Sequence, residues 1–85
     1  MIHSNYHEIR VLVREIAMLC LTMLTEAKEL ESELNTLKKS FSDDGIREID
    51  RCMGEIFDTI DRYQGDMADL TKLLQHYADG LEATK

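Results

Sequence analysis

"KSFSDDGIRE", residues 39–48, decides the fold because it separates two long heptad repeats. Ser42 is a good N-cap residue, and Asp43 would follow in the first helical turn, where the helix dipole favours negative charge. Phe41 precedes this cap and Ile46 is the fourth residue after it, which is the spacing of a hydrophobic staple. The segment therefore predicts a tight turn that leads directly into a helix.

The residues before the turn carry apolar side chains at alternating steps of four and three. This spacing is typical of a helix that packs along its whole length on another helix. The positions are Ile9, Val13, Ile16, Cys20, Met23, Ala27, Leu30, Leu34, Leu37 and Phe41.

The residues after the turn repeat the pattern, with alternating steps of three and four. Two unbroken runs of this length predict two long helices. The positions in the second run are Ile46, Ile49, Met53, Ile56, Ile60, Tyr63, Met67, Leu70, Leu74, Tyr77 and Leu81.

A short turn between long helices makes them antiparallel neighbours. We therefore expect an all-α fold, a single helical hairpin over residues 1–85 that a partner completes to a four-helix bundle. Helix one is predicted near residues 5–39, the turn at 40–43 and helix two near 43–79, with Gly80 as its stop.

The position of the turn also predicts which residues face each other. If the turn centres near Phe41 and Ser42, Cys20 faces Tyr63. Cys52 would then lie roughly 16 Å along the helix from Cys20. Because a disulfide tolerates Cα atoms only up to about 7 Å apart, the cysteines are predicted to be unpaired. Unpaired cysteines favour a reducing cytoplasm.

The composition restricts the classes of partner. The chain has 85 residues, 44% of them hydrophobic, and a formal net charge of −7. Nucleic acids and anionic membranes bind clustered Lys and Arg, so this balance argues against both. A chain this short buries a modest fraction of its surface, and often needs a further stabilising partner.

The stretch "VLVREIAMLCLTML", residues 11–24, has more apolar residues than one packing seam needs. Its apolar run is shorter than the roughly 20 residues that span a bilayer, which argues against a membrane helix. Its heptad pattern continues past any cleavage point, which argues against a signal peptide. We therefore predict a second, partner-binding surface here, covered by another copy or by a different protein. Its residues are Val11, Leu12, Met18, Leu19, Leu21 and Leu24.

Catalytic and metal-binding motifs are absent from the sequence, apart from a weak histidine pattern. His3 and His7 have the i, i+4 spacing of two ligands on one helix face, and His76 would lie near them. Glu8 or Asp79 could complete such a site, but three solvated histidines explain the pattern as well. We predict no catalytic residues, no metal and no cofactor, and hence no enzyme.

Two segments resemble a known family. "SFSDDGIREID", residues 40–50, looks like the turn of the W-x-G superfamily of small helical hairpins, which are associated with bacterial type VII secretion. Phe41 stands where the family has Trp, and Asp43 stands where it has Gly. The tail "LTKLLQHYADGLEATK", residues 70–85, has a spacing of leucines and Tyr-Ala-Asp similar to that of many such sequences.

The resemblance implies a non-enzymatic partner or targeting protein. It would bind a similar hairpin or the helical N-terminal domain of an LXG-type toxin, in the bacterial cytoplasm or exported without a cleavable signal. The family's export motif, an aromatic residue followed four residues later by an acid, matches Phe57 and Asp61 in mid-helix. The alternatives are a self-assembling coiled-coil adaptor, or a small chaperone or immunity protein of another secretion system.

Overall fold

A computed structural model describes residues 6–84 and contains two helices. Helix α1 spans Tyr6–Ser40 and helix α2 spans Asp44–Ala83, and these residues include no strand. The helices pack against each other as an antiparallel pair, 63 Å long and at most 18 Å across. The predicted fold class, an all-α helical hairpin, is confirmed.

Asp43 is the N-cap of α2, whereas the sequence predicted Ser42 as the cap. The Asp43 backbone is extended, and its Oδ1 accepts a hydrogen bond of 2.9 Å from the backbone N–H of Ile46, the third helical residue. This is the usual N-cap contact. The Ser42 carbonyl instead accepts a hydrogen bond from the Arg47 guanidinium at 2.7 Å. Helix α2 therefore begins one residue later than predicted.

The prediction that Gly80 stops α2 is wrong, because the helix continues to Ala83. A glycine ends a helix by adopting a positive φ, and no glycine in residues 6–84 does so. Ala78 is completely buried and Leu81 is half-buried, so packing on both sides of Gly80 favours a continuous helix. The helix ends where the Thr84 hydroxyl donates to the Leu81 carbonyl.

Polar contacts between the helices set their register. Gln64 Nε2 donates to the Cys20 carbonyl oxygen at 3.0 Å, and Lys38 Nζ lies 3.1 Å from Asp50 Oδ2. The Cys20 thiol also lies 3.2 Å from the sulfur of Met67. Cys20 therefore packs against Gln64 and Met67 instead of the predicted Tyr63, a difference of up to about one helical turn.

Helix α2 is also rotated relative to the predicted seam. Six predicted positions do face α1 or lie half-buried: Ile46, Met53, Ile60, Met67, Leu74 and Leu81. The other five predicted positions are 44 to 58% exposed: Ile49, Ile56, Tyr63, Leu70 and Tyr77. Their place beside α1 is taken by Asp50, Phe57, Gln64, Thr71 and Ala78.

The hydrophobic core is thin. Within residues 6–84 the buried side chains are Leu34, Ile46 and Ala78, at 7, 8 and 0% exposure. Leu30 and Leu37, both predicted seam residues, remain exposed. The chain exposes 6576 Å², whereas a compact protein of this mass exposes about 5,200 Å². The hairpin thus leaves apolar surface that a globular domain of the same size would bury.

Replacing the observed cap should weaken the hairpin. Asp43→Ala removes the hydrogen bond to the Ile46 N–H and should lower the free energy of unfolding by about 1 kcal/mol. Ser42→Ala leaves that bond intact and should have little effect. Urea denaturation followed by circular dichroism measures both variants. A larger loss in Ser42→Ala than in Asp43→Ala would contradict the assigned cap.

The register can be tested by crosslinking. In a Cys52→Ser background, Met67→Cys places a second thiol beside Cys20 and should give an intramolecular disulfide on mild oxidation. Tyr63→Cys, in the same background, should leave two free thiols because Tyr63 faces outward. Thiol titration and intact mass distinguish the products. Efficient crosslinking through position 63 alone would support the register predicted from the turn.

Candidate protein interaction surface

An open apolar groove runs along one side of the hairpin. Met23 of α1 and Ile56, Ile60 and Tyr63 of α2 line it, with the polar side chains of Glu55 and Thr59 and the Cys52 thiol at its border. Since Ile56 and Tyr63 are about half exposed, the groove is a surface and not an enclosed cavity. The exposed apolar residues of α2 lie on this side of the hairpin.

The apolar side chains of α2 continue this groove in both directions. Residues seven apart in a helix lie on the same side, so all five exposed members of the predicted seam form one strip. On α1, Leu30 and Leu37 follow Met23 at intervals of seven, and Leu19 precedes it by one turn. We call the whole set the apolar face. It comprises Leu12, Leu19, Met23, Leu30, Leu37, Ile49, Ile56, Tyr63, Leu70 and Tyr77.

The apolar face is large for a monomer. Ten large side chains, most of them about half exposed, present an apolar area on the order of 800 Å². The largest apolar patch on a typical monomer is about 300–600 Å². A standard protein interface buries about 800 Å² on each partner. The face is therefore of the size that a second protein covers.

The opposite side of the hairpin is more polar. There Arg10 donates to Asp79 Oδ1 and Glu82 Oε1, each at 2.8 Å, and Lys38 pairs with Asp50. The hydrogen bonds to Asp79 and Glu82 raise the pKa of Arg10. These ion pairs cross from α1 to α2 near the two ends of the hairpin.

A second groove lies between the helices on this more polar side. Leu24, Ala27 and Phe57 line it, together with charged side chains of both helices. Phe57 is half-buried there and Asp61 is exposed at the border of the same groove. The structure therefore gives Phe57 a packing role. Whether Phe57 and Asp61 also act as an export motif stays a prediction.

The residues predicted to bind a partner do not form one surface. Leu12 and Leu19 belong to the apolar face, whereas Leu24 lines the groove on the other side. Met18 and Leu21 are 65 and 64% exposed on the parts of α1 turned away from α2. Val11, also predicted to belong to the partner-binding surface, is half-buried. The first half of α1 is thus apolar on several sides.

The strip on α2 was missed because its residues had been assigned to the seam between the helices. A second seven-residue series, which begins at Asp50 and includes Gln64 and Ala78, lies beside it on α2 and is less apolar. This second series is the one that contacts α1. Asp50 and Gln64 in it have polar partners on α1, and the small side chain of Ala78 allows the two helices to approach closely. Polar side chains that can pair across a seam indicate the contacting side better than apolarity alone.

The turn residues occupy a further small groove. Phe41 is exposed, and it lines this groove with Ile46, Ser42 and Arg47. The predicted staple between Phe41 and Ile46 is wrong in its positions, because with Asp43 as the cap the staple positions are Ser42 and Arg47. Asp43 contributes the cap described above. The turn therefore presents an aromatic side chain at one end of the hairpin.

A metal or thiol centre finds little support in the described residues. No group of three or more His, Cys, Asp or Glu within residues 6–84 is arranged to hold a metal ion. His3, part of the candidate histidine site, lies outside the described residues. Cys20 is half-buried and Cys52 exposed, and both are free.

Across residues 6–84, neither helix is long and apolar enough to cross a membrane.

Comparisons with models of protein families, with curated proteins and with solved structures gave no match for this chain. The functional argument therefore depends on the hairpin and its exposed residues.

Polar substitutions on the apolar face should leave the isolated hairpin folded. The double variant Ile56→Gln and Tyr63→Gln changes exposed side chains, so the free energy of unfolding of the monomer should shift by no more than about 0.5 kcal/mol per site. Binding of the dye ANS, which reports exposed apolar surface, should fall.

Ile60→Gln is the matched comparison, because Ile60 lies half-buried between the helices. It should lower stability clearly more than either outer substitution, as measured by urea denaturation at a concentration where the chain is monomeric. Equal losses at positions 56 and 60 would contradict the assigned rotation of α2.

Proposed function

We propose that this chain is a non-enzymatic interaction protein whose apolar face packs on the helices of a second protein and completes a four-helix bundle. The observation that carries the proposal is the contrast, within residues 6–84, between three buried residues and ten apolar residues on one exposed face. Packing on a partner would bury the apolar side chains that the isolated hairpin leaves exposed. Helix-in-groove and helix-on-helix recognition use such rows of apolar side chains at heptad spacing.

The geometry of the face supports a helical partner over a small ligand. Small-molecule sites are concave and enclose most of the ligand, whereas the groove around Met23 and Ile56 is shallow and open. The apolar residues also follow the helix axis over most of the 63 Å length of the hairpin. A long, narrow, nearly flat strip matches the shape of another helix or helix pair.

The arrangement of the charged residues supports a non-enzymatic role. General acid and base catalysis requires groups in a concave and partly dry site with shifted pKa values. The carboxylates of the described residues lie at exposed or half-exposed positions, such as Asp58, Asp61 and Asp66. Cys52 is exposed beside the apolar groove, where a partner would cover it.

The more specific proposal is that the partner belongs to a bacterial type VII secretion system. It would be a similar hairpin or the helical N-terminal domain of an LXG-type toxin. This step rests on the resemblance of the turn around Phe41 and of the C-terminal tail to W-x-G proteins. The hairpin architecture agrees with that resemblance, and the exposed face supplies a surface through which such a pair could form.

A second candidate function is a self-assembling coiled-coil adaptor. It is favoured by the same thin core, because two copies could cover each other's apolar faces. It differs from the first proposal in one measurable respect. A self-assembling adaptor would be a stable dimer by sedimentation equilibrium without any other protein.

The decisive experiment is co-expression of the chain with the products of neighbouring open reading frames, followed by pull-down. The double variant Ile56→Glu and Tyr63→Glu places charges on the apolar face and should reduce recovery of the complex at least about tenfold, as expected when interface anchors are lost. Circular dichroism should show that the helices persist.

The matched control is Met18→Glu and Leu21→Glu, which places the same charges on parts of α1 turned away from α2. This control should keep the complex. If the control loses binding and the apolar-face variant retains it, the interaction surface lies on α1 alone. If no neighbour binds and the chain is a stable homodimer, the heteromeric proposal fails.

A further inference from the structure

The apolar face is bordered by acidic residues, mainly along its α1 edge. Five charged residues lie three or four positions from a member of the face, and therefore next to it on the helix surface. All five are acidic and exposed, and no Lys or Arg holds such a position. They are Glu8, Glu15, Glu26, Glu33 and Asp66, which we call the acidic rim.

The rim residues are not neutralised within the hairpin. Among residues 6–84, no Lys or Arg lies within ion-pair distance of any of the five. On α2, Arg62 lies four residues before Asp66, and its guanidinium donates a hydrogen bond to the Thr59 hydroxyl at 3.1 Å. The acidic rim is therefore free to interact with charges that a partner brings.

The basic residues pair elsewhere. Arg10 and Lys38 bridge the helices on the opposite side. Arg47 pairs with Asp44, and Arg51 pairs with Glu48 and Glu55, all within the first part of α2. All four cations in these ion pairs thus offset acids outside the rim, one of which, Glu55, also borders the apolar groove. Much of the net charge of −7 is therefore concentrated beside the apolar face.

This distribution disfavours a second copy as the occupant. In packed helices the residues flanking the apolar seam meet their counterparts on the partner, and opposite charges there select the partner. If two apolar faces of this chain met, acidic rim would face acidic rim. This holds when α1 of one copy lies over α1 of the other, because four of the five rim residues are on α1. When α1 lies over α2 of the other copy, those glutamates meet an edge that carries Asp66 and no Lys or Arg beside the face, so neither orientation supplies the opposite charges.

We propose that the apolar face is selective for a helical partner whose apolar stripe is flanked by Lys and Arg. This inference rests on the proposed function and adds the charge of the partner to it. Each basic flank would pair with the rim while the two apolar stripes pack together. The same rim repels anionic lipid headgroups and nucleic acid, which leaves a basic amphipathic helix as the fitting occupant.

The test uses three designed helical peptides of four heptads each. All carry Leu and Ile at the seam, and the flanking positions are Lys in the first, Gln in the second and Glu in the third. Fluorescence anisotropy with the full chain gives Kd values. At about 50 mM NaCl the Lys peptide should bind at least about tenfold more tightly than the Gln peptide, and the difference should shrink at about 500 mM.

Two triple variants isolate the role of the rim. Glu15→Gln, Glu26→Gln and Glu33→Gln together should remove most of the preference for the Lys peptide. Glu31→Gln, Asp58→Asn and Asp61→Asn make the same change in net charge at acids outside the rim, and should retain it. Neutral amides at these exposed positions keep the helices folded, which circular dichroism verifies.

The outcomes separate this inference from the proposed function. Tight binding of all three peptides with equal Kd values would overturn the charge preference and leave the proposed function intact. Equal loss of preference in both triple variants would show a general effect of net charge and would also overturn it. No binding of even the Gln peptide would reject the apolar face as a docking surface. A homodimer through this face, with a Kd independent of salt, would identify a second copy as the occupant and refute the inference.

Discussion

The hydrogen bond between Gln64 and the Cys20 carbonyl is the contact on which the arrangement of this hairpin most depends. It joins the two helices directly, and the more exposed ion pair of Lys38 and Asp50 agrees with the same register and rotation of α2. Polar groups in a helix contact are favourable only when they are paired. Placing Gln64 against α1 turns the neighbouring apolar series, which includes Tyr63, outward. A few polar contacts thereby create the exposed face.

The fold class could be predicted because heptad spacing and turn chemistry are local properties. Two long apolar series and the segment around Phe41 specify two helices and a reversal without knowledge of any tertiary contact. The details of the turn were less predictable. Ser42 and Asp43 are both good caps, and the choice between them depends on which side chain reaches the Ile46 N–H.

The interaction surface could be predicted only in part, because it depends on the rotation of one helix about its own axis. Leu12 and Leu19 were identified from the surplus of apolar residues on α1. Ile56 and Tyr63 were not, since a helix with two adjacent apolar series can present either of them to its neighbour. Apolar spacing alone does not distinguish the two rotations, which differ in whether Gln64 and Asp50 lie against α1.

The thin core also links the lifetime of the chain to the supply of its partner. Leu34 and Ile46 are buried near the turn, and Ala78 is the one described residue buried towards the open end. A ligand that binds only the folded state stabilises it by mass action, and proteases cleave chains that open. Under the proposed function, unpartnered copies would be degraded first, and the cellular amount of the hairpin would follow that of the protein it binds.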